Sequence, residues 1–318
     1  MEYQLELSFQ QPEQPTIRGQ PDDEAIRMIR EFEPLALRND PRGYCVCTSE
    51  GKDSRVLGHL MRRAGVRHFY LHSITGIDPP ELVYFQRRNF QAYQDMGLTT
   101  YDIMYDKSMW QLMLQKKFPP LRRMRWCCAH LKEHRTAEYG RAILSLGVRK
   151  YESVRRAKSR DELEIAAYGP GDQGIIMRCE NHENRRIFEN CYTQSEKRLN
   201  PLAYWPDNYI WDYSHEAGLE QCCLYQEGFS RLGCIGCPMA SESERRHEFE
   251  RWPKFQAQWV RTFDQMIRLR EQEGRVNEHA SGQDWFEWWM RDQSQDMAID
   301  ENQLILENYL EDREYEHH

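Results

Sequence analysis

The sequence lacks several features that would place the protein at a membrane or outside the cell. No apolar run approaches the roughly 20 residues that a membrane-spanning helix requires. Residues 1–15 have neither the basic start nor the apolar stretch of a secretory signal. An excess of positive charge is also missing, because the formal net charge is −8. We therefore expect a cytoplasmic protein with no membrane partner and no general nucleic-acid-coating role.

Cysteine, by contrast, is abundant, and all 10 cysteines lie between positions 45 and 237. In a cytoplasmic chain of this size they indicate metal binding or catalysis rather than disulfides. Cys127 and Cys128 are adjacent in RWCCAHLK, and Cys234 and Cys237 form the CxxC of GFSRLGCIGCPMAS. Four such thiolates suit zinc or a [4Fe–4S] cluster, whereas a CxxC alone also suits a redox pair.

Strand-like and helix-like segments alternate along the first part of the chain. YCVCTS (44–49), VRHFYLHSIT (66–75) and LTTYDIMYD (98–106) indicate strands, and amphipathic segments lie between them. Strand–helix–strand units of about 30 residues form parallel sheets. The alternation predicts an α/β fold with a parallel twisted sheet flanked by helices.

The predicted domain organisation has three parts. Residues 1–20 are rich in Gln and Pro and predict a flexible tail, and residues 21–215 carry the α/β pattern. Residues 216–318 predict a turn that carries Cys234 and Cys237, here called the cysteine turn, followed by a helical C-terminal subdomain. The subdomain contains a long helix interrupted near Pro253. The aromatic segment DWFEWWMRD (284–292) predicts a short helix that packs internally.

A candidate phosphate-binding loop, SEGKDS (49–54), lies between the first strand and the next helix. Backbone amides converge on anions at such a place, and Lys52 adds a positive charge. The spacing is too short for the GxxxxGK[ST] loop of ordinary NTPases. Taken alone, the segment is equally compatible with a polar turn that happens to contain lysine.

The segment resembles the PP-loop of the ATP pyrophosphatase superfamily, whose usual form is SGGKDS, with Glu50 in place of the first glycine. We expect Glu50 to point away from the phosphates or to help hold Mg²⁺. Four further blocks in matching order resemble phosphoadenosine phosphosulfate (PAPS) reductase-like members, and the resemblance implies an adenine nucleotide alpha hydrolase-like fold. The blocks are HSITGIDPPEL, GVRKYESVRR, NPLAYWPDNYIWDY and LYQEGFSRLGCIGCP.

The resemblance also implies site residues and ligands. ATP and Mg²⁺ are the implied ligands of the loop, with Asp53 as the residue for Mg²⁺. Arginine binds phosphate or sulfate with two parallel hydrogen bonds, which favours a role for the arginines of the GVRKYESVRR block in anion binding. The implied nucleotide-binding residues are Ser49, Gly51, Lys52, Asp53, Ser54, Gly76 and Ser153. The implied catalytic residues are Lys52, Asp53, Arg149 and Arg156.

The cysteine pairs resemble the CC…CxxC set that holds a [4Fe–4S] cluster in assimilatory adenylyl-sulfate reductases. The resemblance implies that the cluster ligands are Cys127, Cys128, Cys234 and Cys237, with zinc as the less favoured metal. Cys222 or Cys223 is an alternative ligand in place of Cys127 or Cys128.

The expected reaction follows from a missing residue. Sulfonucleotide reductases act through a cysteine in a C-terminal ECGLH-type segment, and no cysteine follows Cys237. We therefore expect cleavage of ATP to AMP and pyrophosphate that activates an acceptor for sulfur transfer, as in the iron–sulfur ATP pyrophosphatases of DNA phosphorothioation systems. The implied sulfur donor is a cysteine desulfurase, and DNA or another nucleic acid is one candidate acceptor, supported only by the basic stretch 121–160.

Two alternatives stay open. One is an adenylyl- or phosphoadenylyl-sulfate reductase that uses a partner's cysteine, or Cys222 or Cys223. The other is a non-catalytic module that binds nucleotide or zinc, which the unusual Glu50 in the loop favours.

Overall fold

The structure is a computed structural model that describes residues 21–133, 139, 141–152, 160–165, 175–179, 182–190 and 196–291. The strands are β1 Tyr44–Cys47, β2 His68–Ile74, β3 Thr99–Met104, β4 Leu144–Leu146, β5 Leu163–Ile165, β6 Ile175–Met177 and β7 Lys197–Leu199. The helices are α1 Pro21–Asn39, α2 Lys52–Ala64, α3 Pro80–Asp95, α4 Met109–Lys116, α5 Trp126–Cys128, α6 His182–Asn190, α7 Asp207–Glu216, α8 Glu242–Arg251, α9 Pro253–Gln272 and α10 Gly282–Met290.

The described strands form one seven-stranded sheet in the order β3-β2-β1-β4-β7-β5-β6. Strand β1 is parallel to β2 and β4, and β4 is parallel to β7. Strand β5 is antiparallel to both β7 and β6. The predicted α/β fold is confirmed, but the sheet is mixed at the β5–β6 side. Antiparallel neighbours need no helical crossover, and the polar region around these short strands carried no alternating pattern that predicted them.

The chain forms two compact units, each assembled from three segments. Among the described residues, the first unit contains residues 21–72, 84–102 and the described part of 139–227. The second contains residues 73–83, 103–133 and 228–291. The predicted boundary near residue 215 stays a prediction. None of the described helices combines the length and apolar character that a bilayer-spanning segment needs.

The core of the first unit lies where β1 meets the helices around it. Tyr44, Cys45 and Val46 are fully buried, as is usual for a central strand covered on both faces. Helix α2 places apolar residues of one face against α1 and α7 and ends at Gly65, whose left-handed φ of 70° caps the helix. The first turn of α2, which follows β1, is therefore positioned by a helix that packs against α1 and α7.

Aromatic side chains form the core of the second unit. The rings of Trp259 and Trp289 stack with centroids 4.3 Å apart, and Trp289 Nε1 donates a hydrogen bond to the carbonyl of Pro120 at 2.9 Å. The internal packing predicted for the Trp-rich helix is confirmed, because Trp285 and Trp289 are buried. The predicted interruption near Pro253 is also confirmed, since α8 ends at Arg251 and α9 begins at Pro253.

The close packing at Gly43, the residue before β1, can be tested by substitution. A Cβ atom on Gly43 would lie 1.9 Å from the carbonyl oxygen of Arg67, the same oxygen that accepts the Tyr44 N–H bond beside β1. We expect Gly43→Ala to reduce the free energy of unfolding by more than about 3 kcal/mol in urea denaturation. Gly65→Ala is the control, because its φ is also positive but no atom lies within 4 Å of the added Cβ; its cost should be about 1–2 kcal/mol. Equal losses in the two variants would contradict this explanation.

Candidate functional site

The loop 49–54 connects the end of β1 to the first turn of α2. Gly51 is the N-cap of α2, and Lys52 is its first residue. The N–H groups in the first turn of a helix have no intrahelical partner and carry partial positive charge, so they attract anions. The Ser54 hydroxyl donates to the Gly51 carbonyl at 3.0 Å and closes this turn, while Ser49 is exposed. The predicted strand–loop–helix arrangement of the phosphate loop is present.

Two cations and two carboxylates form an ion-pair network at the loop. Lys52 Nζ lies 3.2 Å from Asp53 Oδ2 and 3.2 Å from Asp207 Oδ1. Arg149 donates from Nε to Asp53 Oδ1 at 2.6 Å and from Nη2 to Asp207 Oδ1 at 2.7 Å. Each cation therefore contacts both carboxylates, and the four charges compensate one another.

Arg149 is fixed from several sides. Only 2% of the residue is exposed, and its Nη1 also donates to the carbonyl of Trp205 at 3.3 Å. Gly147 permits this approach, because a Cβ at that position would lie 3.1 Å from backbone atoms of Asp53 and Ser54. Trp205 itself is buried. In this structure the direct action of Arg149 is to orient Asp53.

Asp207 belongs to the network but was not among the site residues predicted from the sequence. It is the first residue of α7, and its side chain is 61% exposed. Burial works to raise the pKa of Asp207, but Lys52 and Arg149 outweigh it and the net pKa is lowered. The available signal was an acidic residue directly after Pro206, at the start of a helix inside a block that matched the family.

Tyr225 closes the loop from another direction. Its hydroxyl oxygen accepts the backbone N–H of Lys52 at 2.9 Å. Burial raises the pKa of Tyr225 above its usual value, so the phenol is neutral at physiological pH. The ring packs edge-to-face against Trp211, with centroids 5.0 Å apart. An anion that binds the Lys52 amide must replace this hydroxyl oxygen.

The structure does not test the predicted roles of several other site residues. Ser153, Arg155 and Arg156 lie outside the described residues, so their predicted roles stay predictions. Gly76 has a positive φ of 75° and belongs to the second unit. Its expected approach to a nucleotide also stays a prediction.

All four predicted cluster ligands belong to the second unit. The thiol of Cys127 hydrogen-bonds to Cys128 and interacts electrostatically with Cys234 and Cys237. Because it donates to Cys128, the pKa of Cys127 is raised and that of Cys128 is lowered. The structure therefore brings the CC pair and the CxxC pair together, although more than 100 residues separate them in sequence.

The backbone on both sides of the thiols departs from regular α-helix. The α-helix that carries the CC pair ends at Cys128, and Ala129–Glu133 form a π-helical turn. Such wider turns are frequent at functional sites. In the CxxC segment, Cys237 N–H donates to the Cys234 carbonyl at 3.2 Å, and Ile235 N–H donates to the Ile77 carbonyl at 2.8 Å. These bonds fix the backbone of the CxxC segment.

Lys132 supplies a positive charge beside the thiols. The charge of Cys234, followed by that of Asp78, raises the pKa of Lys132. Burial raises the pKa of Cys234, whereas Lys132 lowers it. The hydroxyl of Thr75 accepts a hydrogen bond from Cys234 Sγ at 3.5 Å. A fixed ammonium group in this place favours negatively charged sulfur ligands.

The four thiols have the chemistry of ligands for zinc or for an iron–sulfur cluster. Zinc holds its thiolates at about 2.3 Å, which puts neighbouring sulfurs about 3.8 Å apart. Within the described ranges, no three His, Cys, Asp or Glu side chains are gathered closely enough to hold a metal ion. With Lys132 beside them, the four thiols fit a thiolate-ligated metal group in chemistry, and zinc and an iron–sulfur cluster are both candidates.

The remaining described cysteines differ in their surroundings. Cys45 and Cys222 are buried, Cys47 is half-buried, and Cys223 is exposed. Cys179 is buried and accepts a hydrogen bond from Arg185. Cys222 and Cys223 belong to the first unit, whereas the four thiols above all belong to the second.

A mixed α/β sheet with a short loop between β1 and the N-terminus of α2 is the arrangement of the PP-loop class. The profile described as "phosphoadenosine phosphosulfate reductase domain" matches residues 43–240. The chain belongs to this family, as the sequence blocks predicted.

Two uncharacterized proteins of Methanocaldococcus jannaschii are related to the chain in sequence. MJ0066 is 26% identical over 172 residues, which are 52% of this chain and 29% of that protein. MJ0973 is 27% identical over 246 residues, which are 75% of this chain and 52% of that protein. The chain thus spans between a quarter and about half of the length of these relatives.

Solved structures with a similar fold include three enzymes. Candida glabrata FMN adenylyltransferase has a TM-score of 0.45 at 15% identity and covers 68% of this chain and 61% of its own. Candida auris PAPS reductase has a TM-score of 0.40 at 14% identity, with 70% and 97% covered. The U34-tRNA thiolase NcsA of Methanococcus maripaludis, solved with its [4Fe–4S] cluster, has a TM-score of 0.38 at 10% identity, with 79% and 81% covered.

The ligand set of the thiol site can be tested by metal content. We expect anaerobically purified protein to carry about four iron atoms per chain and to absorb near ~400 nm. Cys128→Ser and Cys237→Ser should each lose most of this iron, because each removes a ligand. Cys223→Ser is the control and should keep it, while Cys222→Ser tests the alternative ligand. Stoichiometric zinc in place of iron, or iron loss in Cys223→Ser but not in Cys128→Ser, would contradict the assignment.

Proposed function

We propose that the protein is an ATP pyrophosphatase that activates an acceptor for sulfur transfer. An acceptor oxygen attacks the α-phosphorus of ATP, the bond to the β-phosphate oxygen breaks, and pyrophosphate leaves. A persulfide supplied by a cysteine desulfurase then attacks the activated acceptor and displaces AMP, and a dithiol reductant cleaves the resulting disulfide so that one sulfur stays on the acceptor. The observation that carries this proposal is the convergence of Lys52, the loop amides, Arg149 and two carboxylates at the start of α2.

The leaving pyrophosphate would be stabilised by the loop. Its oxygens would accept hydrogen bonds from the amides of Lys52, Asp53 and Ser54, and Lys52 Nζ would neutralise part of its charge. Preorganised donors of this kind lower the energy of the transition state because they need no reorientation during reaction. The Tyr225 hydroxyl would leave the Lys52 amide when the phosphate arrives.

Mg²⁺ fits the same place. It is usually held by one or two carboxylates together with substrate phosphates, and Asp53 and Asp207 both contact the same two cations. We propose that these carboxylates bind the ion and that Lys52 turns to the phosphates. Arg149 would keep Asp53 oriented throughout.

The thiol site would hold a [4Fe–4S] cluster through Cys127, Cys128, Cys234 and Cys237. When bound, such a cluster would either carry sulfur or hold the segments of the second unit together. Lys132 would balance the negative charge of the thiolates. We propose a nucleic acid as the acceptor, because the LRRMRW segment is basic.

The products of ATP cleavage test this proposal. We expect purified protein with Mg²⁺, α- and γ-labelled ATP and a nucleic-acid acceptor to form AMP and pyrophosphate. Lys52→Ala should reduce the rate at least ~100-fold, because it removes a charge that stabilises the leaving group. Lys150→Ala is the control, since this lysine pairs with Asp161 outside the loop. Formation of ADP and phosphate, or equal rates in the two variants, would refute the proposal.

A second candidate function is sulfonucleotide reduction. Cys223 is exposed and lies in the same single turn, Cys223–Tyr225, whose tyrosine contacts the phosphate loop. Its thiolate would attack the sulfur of a sulfonucleotide and expel AMP or its 3′-phosphorylated form. A dithiol reductant would then reduce the enzyme-bound thiosulfonate and release sulfite. Sulfite formation that is lost in Cys223→Ser would favour this function over ATP cleavage.

A further inference from the structure

Glu50 occupies an unusual position in the phosphate loop. It is fully buried, and its φ of 54° lies in the left-handed region that glycine adopts readily. A glycine would adopt this conformation without strain, so contacts of the glutamate side chain must compensate for it here. The expectation that Glu50 points away from the phosphates agrees with its burial and partners.

Both carboxylate oxygens of Glu50 have protein partners within the first unit. Thr48 donates its hydroxyl to Oε1 at 2.9 Å, and the same hydroxyl accepts the Glu50 backbone N–H at 3.0 Å. Asn89, on α3, donates from its side-chain amide to Oε2 at 2.8 Å. The carboxylate thus ties the loop backbone to the end of β1 and to α3.

Arg55 supplies the counter-charge. Its Nη1 lies 3.5 Å from Glu50 Oε2 and donates to the Tyr93 hydroxyl at 2.6 Å. Burial raises the pKa of Glu50, whereas Arg55, Thr48 and Asn89 favour its charged form. Without this partner, a buried negative charge two residues from Lys52 would repel a phosphate group at the loop. The pair therefore removes an electrostatic obstacle that the glutamate itself introduces.

We propose that Glu50 and Arg55 form a charge-neutral pair that fixes the phosphate loop in its anion-binding conformation, which makes Glu50 a positioning residue for the pyrophosphate part of the ligand. This inference rests on the proposed nucleotide site. Glu50 contacts no phosphate. It acts by holding the backbone so that the amides of Lys52, Asp53 and Ser54 stay directed at the anion.

A charge-compensation experiment tests the pair. Binding of Mg²⁺-pyrophosphate is measured by calorimetry, below the melting temperature of every variant, for wild type, R55M, E50Q and E50Q/R55M. We expect R55M to weaken binding at least ~10-fold, since it leaves the Glu50 charge uncompensated near the ligand. E50Q/R55M should return to within ~3-fold of wild type, and E50Q alone should lose less affinity than R55M. E164Q is the matched control, because Glu164, which lies on strand β5, is also buried and paired with an arginine, Arg160.

Two results would overturn the proposal. One is an R55M affinity within ~2-fold of wild type, and the other is a double variant that binds no better than R55M. If R55M does not fold, amide hydrogen exchange of residues 50–54 in the near-isosteric E50Q decides: exchange at least ~10-fold faster than in wild type supports the anchor, and unchanged exchange refutes it. A wild type that binds pyrophosphate but does not cleave ATP would refute the proposed reaction and leave this inference standing.

Discussion

The ion pair between Asp53 and Arg149 is the contact on which the candidate site depends. It joins the first turn of α2 to the segment that leaves β4, at a bond length of 2.6 Å. Because β1 and β4 are parallel neighbours, their carboxyl ends open at the same edge of the sheet. Ligands of α/β sheets bind at this edge, and a buried arginine fixes the position of the loop carboxylate there.

The charged groups around this pair already have protein partners. Lys52 contacts two carboxylates, and the Lys52 amide already has an acceptor in Tyr225. An incoming phosphate therefore exchanges existing bonds for new ones. In the proposed site the net gain per bond would then be modest, as for hydrogen bonds exchanged with water, so affinity would come mainly from the loop being held in place beforehand.

The parts of the fold that follow local patterns were predictable from the sequence, and the parts that depend on distant contacts were not. Apolar periodicity located α2 and β1, and the SEGKDS segment located the loop between them. The antiparallel β5 and β6 escaped prediction because three-residue strands carry too little periodicity. Asp207 escaped because its partner Arg149 lies 58 residues away in sequence. Glu50 was recognised as an exception, but only the fold shows that Asn89 and Arg55 surround it.

The two chemistries of the chain are each built within one compact unit. The loop and its ion pairs use residues of the first unit, and the four thiols with Lys132 use residues of the second. Separate construction means that a substitution in one site need not distort the other. Each proposed site has a lysine as its counter-charge. Lys132 lies beside the thiols, and Lys52 lies at the loop proposed to bind phosphate. In both places a lysine, buried for Lys52 and half-buried for Lys132, reduces the repulsion between the negative groups around it.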